Sequence, residues 1–134
     1  MRRPILVIND DPLLCSLLST TLGEAGFEVR TAGDGVDGMR TLVDQAPCWV
    51  LLDLAMPVMD GFEFLSALRR VPFPPRVFVA SDVADSGSVG RALRLGAEHA
   101  FTPEQIRHPR FGSALREALG LPAVDPVLDD RHAA

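Results

Sequence analysis

The chain of 134 residues is 47% hydrophobic and 23% charged, with a formal net charge of −5 at pH 7, which fits one globular domain with a core of its own. The acidic balance and the lack of a dense basic run argue against a nucleic-acid or membrane-surface partner. No apolar run approaches the roughly 18 residues of a membrane span, and Met1-Arg2-Arg3-Pro4 leads into neither a long apolar core nor a small-residue cleavage site, so no secretory leader is expected. Cys15 and Cys48 lie inside apolar patterns and are expected as buried, reduced thiols of a cytoplasmic protein. All thirteen basic residues are arginines; the sequence has no lysine.

In chain order, Ile5-Leu6-Val7-Ile8 is a short β-branched run that predicts strand one, ending on Asn9-Asp10-Asp11. Pro12 fits a first helical turn, where its missing N–H is not needed. Leu14, Leu18 and Leu22 extend helix one to Gly23 or Gly26. Phe27 to Thr31 alternates as strand two. Val36, Met39 and Val43 mark the inner face of helix two, although Gly35 and Gly38 weaken its propensity. Pro47 closes it.

Cys48 to Asp53 is strand three. It is apolar from Trp49 to Leu52 without alternation, the pattern of a strand buried on both faces, and Trp49 is expected in the core. Pro57 and Gly61 punctuate the loop that follows, one by fixing φ and the other by permitting positive φ. Asp60 caps helix three, with Phe62, Leu65 and Leu68 facing inward. Val77 to Ala80 is strand four, ending on Ser81-Asp82. Val89, Ala92 or Leu93, and Leu95 or Gly96 mark helix four. Glu98 to Phe101 is strand five, and Phe111, Leu115 and Leu119 mark helix five. Residues 1–120 form the domain. Residues 121–134, with Pro122, Pro126 and three aspartates, read as a solvated tail.

Five strands alternating with five helices predict an α/β fold with right-handed crossovers, a doubly wound parallel sheet and helices on both faces. Ligands of such sheets bind beyond the carboxyl ends of the strands. Asn9-Asp10-Asp11, Asp53 and Ser81-Asp82 all follow strands and can meet at that edge. Clustered oxygens suit Mg²⁺, which takes one or two carboxylates and keeps several waters. A carboxylate beside that ion can attack a phosphoryl group, and phosphoryl transfer asks mainly for positioning and charge neutralisation. His99, His108 and His132 share no spacing that suggests a metal site.

Ile5 to Leu14, Leu51 to Gly61, Val77 to Ser81, and Gly96-Ala97-Glu98 together make residues 4–119 resemble the receiver domain of bacterial two-component response regulators. The resemblance implies a flavodoxin-like (βα)5 sheet in strand order 2-1-3-4-5. It implies that a histidine kinase or phosphotransfer protein donates phosphate to Asp53. Mg²⁺ would be held by Asp10, Asp53 and the main-chain carbonyl of Ala55, with Asn9 offering a further oxygen. Ser81 would contact the phosphoryl group. The surface of helix four, strand five and helix five would engage a downstream protein, a second copy of the chain being one candidate.

Four positions depart from the family pattern. Asn9 stands where an acid is usual, so weaker Mg²⁺ binding is expected. The family's lysine after strand five is missing; its place falls on Thr102 or Pro103 according to the anchor chosen. Arg107 is the nearest basic residue in sequence, and its rigid planar fork is not equivalent to an ammonium. Asp82 follows Ser81 where a small residue is usual. The aromatic position of strand five falls on His99 or Ala100. Losing a positioned cation removes several kcal/mol of transition-state stabilisation.

The expected function is a stand-alone, non-enzymatic phosphorylation switch that signals by protein contact. The alternative is a phosphorylation-independent interaction module. A phosphatase reading would want a second acid or base two residues beyond Asp53, where the chain has Ala55.

Overall fold

The computed structural model describes residues 3–82 and 85–122. Five strands, β1 (Arg3–Ile8), β2 (Phe27–Ala32), β3 (Trp49–Leu52), β4 (Arg76–Ala80) and β5 (His99–Phe101), form one parallel sheet in the order β2-β1-β3-β4-β5. The connecting helices are α1 (Pro12–Glu24), α2 (Gly35–Gln45), α3 (Gly61–Leu68) and α4 (Ser86–Arg94). Beyond β5 the chain forms two helices, α5 (Pro103–Arg107) and α6 (Phe111–Ala118), where the sequence predicts one.

Pro109 explains that break. A proline disfavours helical backbone in the residue before it, and His108 is extended at φ −71°, ψ 138°. The sheet divides the core in two. Ile5, Val7, Trp49, Leu51, Phe78 and Phe101 face α1, α5 and α6, meeting Leu18, Ile106, Phe111 and Leu115. Leu6, Ile8, Val50, Leu52, Val77 and Val79 face the other layer, meeting Leu42, Phe64, Leu65 and Ala92. Alternate residues of β1 thus serve opposite faces, and every residue of β3 is buried, as the unbroken apolar run requires.

Several predicted faces differ in detail. α2 buries Gly35, Gly38 and Leu42, while Val43 is 76% exposed and Val36 is also exposed. The reason is steric: a Cβ on Gly38 would lie 2.6 Å from Cδ1 of Ile8, and one on Gly35 2.7 Å from Cγ of Met59. The helix backbone itself is the packing surface, so an apolar-residue count misses the inward face. α3 buries Phe64, Leu65 and Leu68, with Phe62 only partly covered. α4 buries Ala92 and leaves Leu93 exposed.

The thiols also correct the expectation. Cys48 is exposed just before β3, and Cys15 is half-buried, its thiol donating to the Asn9 carbonyl at 3.4 Å. Leu121, assigned to the solvated tail, packs on the core beside α6, while Pro122 is exposed as expected; residues 123–134 of that segment lie outside the described residues. Among the described residues, no helix is long and apolar enough to cross a membrane.

Candidate functional site

The parallel register carries three chain segments to one sheet edge. Asp53 donates its main-chain N–H to the Ile8 carbonyl at 2.9 Å, which ties it to the end of β1. Ser81 follows the last residue of β4. Asn9, Asp53 and Ser81 are all buried, Ser81 completely. The Ser81 hydroxyl donates to Oδ1 of Asp53 at 2.6 Å, and the Ala55 N–H donates to the same oxygen at 3.3 Å.

Burial pushes the Asp53 carboxyl above its ordinary range. The Ser81 and Ala55 donors oppose this by stabilising the charged form, and the neighbouring Asp10 carboxylate adds to the rise. Asp10 is exposed at the mouth, whereas Asp53 lies beneath it. Asn9 turns its carbonyl oxygen onto the Asp11 N–H at 2.9 Å. Asp11 caps α1 through the Leu13 N–H. Burial, then Asp11, Asp10 and Asp53 in turn, push the Cys15 thiol above its usual range, which disfavours the thiolate.

The loop after β3 fixes the approach to Asp53. Leu54 and Met56 are buried, and Val58 has φ 68°, a left-handed conformation that is costly for a β-branched side chain. Asp60 and Glu63 form a reciprocal capping box at the start of α3. Gly61 is needed for space and not for positive φ: a Cβ there would sit 2.5 Å from the Asp53 carbonyl and 2.7 Å from Cα of Leu54. The first turn of α3 therefore rests directly on the backbone of Asp53.

At the end of β5, Ala80 pairs with Phe101, so Thr102 is the next residue along from that pair, as Ser81 is on β4. Thr102 caps α5 in a second capping box with Gln105, and Pro103 is already helical. His99 is exposed, its ring 4.9 Å from that of Phe101, while Ala100 packs on the opposite face.

One feature escaped the sequence reading. Asp82 and Arg107 form a two-pronged ion pair: Nη1 meets Oδ1 and Nη2 meets Oδ2, the latter at 2.7 Å. The guanidinium beside it holds the Asp82 carboxyl below its ordinary range. Opposite charges 25 residues apart were the only available signal, and only the topology makes them neighbours.

The donor set fits Mg²⁺ sparingly. Asp10 and Asp53 supply two neighbouring carboxylates, and main-chain carbonyls and water can complete an octahedron. The Asn9 oxygen is already engaged. Among the described residues, no group of three or more His, Cys, Asp or Glu side chains forms a denser metal cage.

Residues 5–105 match the response regulator receiver domain family model. The chain is 34% identical to the "Probable chemotaxis protein CheY" of Rhizobium etli over 110 residues, 77% of this chain and 85% of that one. It is 37% identical over 131 residues to a protein-glutamate methylesterase/protein-glutamine glutaminase of Myxococcus xanthus, covering 96% of this chain and 36% of the relative. It spans between 27% and 50% of the first three curated relatives. Among solved structures, a CheY-like receiver domain protein from Methanospirillum hungatei superposes with a TM-score of 0.80 at 21% identity, covering 90% of this chain and 95% of that one. With the sheet order, the buried aspartate at its edge and this family match in agreement, the chain belongs to the response regulator receiver domains of two-component signalling.

Proposed function

We propose that Asp53 accepts a phosphoryl group from a histidine kinase or phosphotransfer protein, and that the modified domain signals by protein contact. The observation that carries this reading is the 2.6 Å hydrogen bond from buried Ser81 to Asp53, with Asp10 alongside. Asp53 Oδ1 is held by two donors, which fixes the rotamer of the nucleophile. The Ser81 hydroxyl is positioned to turn toward a transferred phosphoryl oxygen. Asp10, Asp53 and the Ala55 carbonyl would hold Mg²⁺, more weakly than an intact pair of acids after β1 would allow. When bound, the ion supplies charge neutralisation for the phosphoryl oxygens.

The output surface comprises α4, β5, α5 and α6. It carries exposed His99 and Leu93, and an apolar groove lined by Phe101, Gln105, His108, Phe111 and Ala114. A downstream protein or a second copy of the chain would dock there.

A second reading, a phosphorylation-independent interaction module, is favoured by Thr102. That position offers no cation, and its hydroxyl is committed to capping α5. One experiment separates the two. The protein is incubated with Mg²⁺ and phosphoramidate and its intact mass is measured. The switch predicts a gain of one phosphoryl group that Asp53→Asn abolishes. A folded protein that gains none supports the module.

A further inference from the structure

Asp10, Asp11, Asp53 and Asp82 all follow strands at this sheet edge: the Asp10 charge acts on Asp53, and Asp11 acts with Asp82 on Arg107. Phosphorylation of Asp53 would replace its single carboxylate charge with a dianionic phosphoryl group, a net gain of one negative charge in this cluster. Like charges this close disfavour one another strongly unless a cation intervenes. Thr102 supplies none. Among the described residues, Arg107 is the arginine whose guanidinium pairs with a carboxylate at this edge, and it also feels the charge of Asp11. It reaches there from the last turn of α5, whose start is fixed by the Thr102–Gln105 capping box.

We infer that Arg107 is the phosphoryl-binding cation of this domain, parked on Asp82 at rest and passed to the phosphoryl oxygens once Asp53 is modified. This rests on the reading of Asp53 as acceptor.

Two features make the exchange feasible. Both partners of the resting pair are nearly half exposed, at 45% and 43% of their side-chain surface, and ion pairs that water reaches contribute little. The guanidinium fork that grips both Asp82 oxygens matches two phosphoryl oxygens equally well, and the dianion is the stronger partner. Asp82 is the residue after Ser81, whose hydroxyl touches Asp53, so the resting pair is tethered to the segment that holds the acceptor. Asp82 then has a role its charge alone would not suggest. It holds the arginine at the mouth of the site, and it is left to water when the fork departs.

The test is the rate at which the full chain takes up phosphate from phosphoramidate with Mg²⁺. In that step an Asp53 oxygen bonds to phosphorus as the P–N bond breaks, the bonding pair leaving on nitrogen as ammonia. Wild type is compared with Arg107→Ala, Arg107→Lys, Asp82→Asn and the double variant Asp82→Asn/Arg107→Ala. Arg107→Ala is expected to be slower by about tenfold or more, and Arg107→Lys to fall between it and wild type. Asp82→Asn, which frees the fork and removes a like charge, keeps its rate at or above wild type. The double variant decides. If Arg107 binds the phosphoryl group, removing it slows the Asp82→Asn protein by about the same factor. A double variant as fast as Asp82→Asn alone would mean the guanidinium only neutralises Asp82, and the inference is overturned while Asp53 stands as acceptor. No Asp53-dependent uptake by wild type would overturn both readings together.

Discussion

At the scale of single residues, the site is a contest between burial and hydrogen bonding at Asp53. Burial opposes its charge, while the Ser81 hydroxyl and the Ala55 N–H support it. Removing the buried donor leaves a buried carboxylate short of a partner, which costs about 1–3 kcal/mol. Ser81→Ala is therefore expected to lower the denaturation free energy of the metal-free protein by that amount. The same change in an Asp53→Asn background should cost measurably less, so a double-mutant cycle in urea reads the coupling directly. That Asp10, Asp53 and Ser81 would share an edge was legible because each lies at the end of an apolar run, and the strand ends of a parallel sheet meet at one edge. Other residues were not. Gly61 looked like a turn glycine, whereas the positive φ of that loop falls on Val58. The loop's shape is dictated by the packing of α3 on the Asp53 backbone, and no local propensity encodes that. The Asp82–Arg107 pair was hidden for a similar reason, being a product of where β4 and α5 end.

At the scale of elements, glycine decides how closely helices approach. α6 meets α1 at Gly112, where a Cβ would clash with the Thr21 carbonyl and lie 2.7 Å from Cβ of Ala25. Gly112→Ala should destabilise the fold by roughly 1–3 kcal/mol, since a backbone carbonyl cannot yield as a side-chain tip can. Gly23, late in α1, has nothing within 4 Å of a built Cβ. Gly23→Ala should stabilise by about 0.5–1 kcal/mol through unfolded-state entropy and helix propensity. Paired urea melts of the two variants check both signs. The same physics shows why strands were easier to read than helix faces. β3 announces itself by four successive buried residues. α2 conceals its inner face because two of its three buried positions are glycines, which a hydrophobic count scores as nothing. The split of the last helix was written in His108-Pro109, yet the apolar spacing of Phe111, Leu115 and Leu119 drew attention past it.

At the scale of the whole molecule, ligand binding and folding are linked. An ion that binds only the folded edge stabilises it, by about 1.4 kcal/mol at ten times its dissociation constant. Mg²⁺ is expected to raise the denaturation midpoint of the wild-type chain, and either Asp10→Asn or Asp53→Asn should remove that gain. The absence of a rise in wild type at tens of millimolar Mg²⁺ would argue for the interaction module.

The strand order has a consequence for biosynthesis. β1 sits inside the sheet, β2 joins one flank, and β3, β4 and β5 are laid down successively on the other. Nothing translated late must be threaded between strands already paired. A nascent chain can therefore extend its sheet outward as it leaves the ribosome. Asp10 and Asp53 come together as soon as β3 docks, and Ser81 arrives only with β4, so a polypeptide stalled between them holds the acidic half of its site without the hydroxyl that completes it.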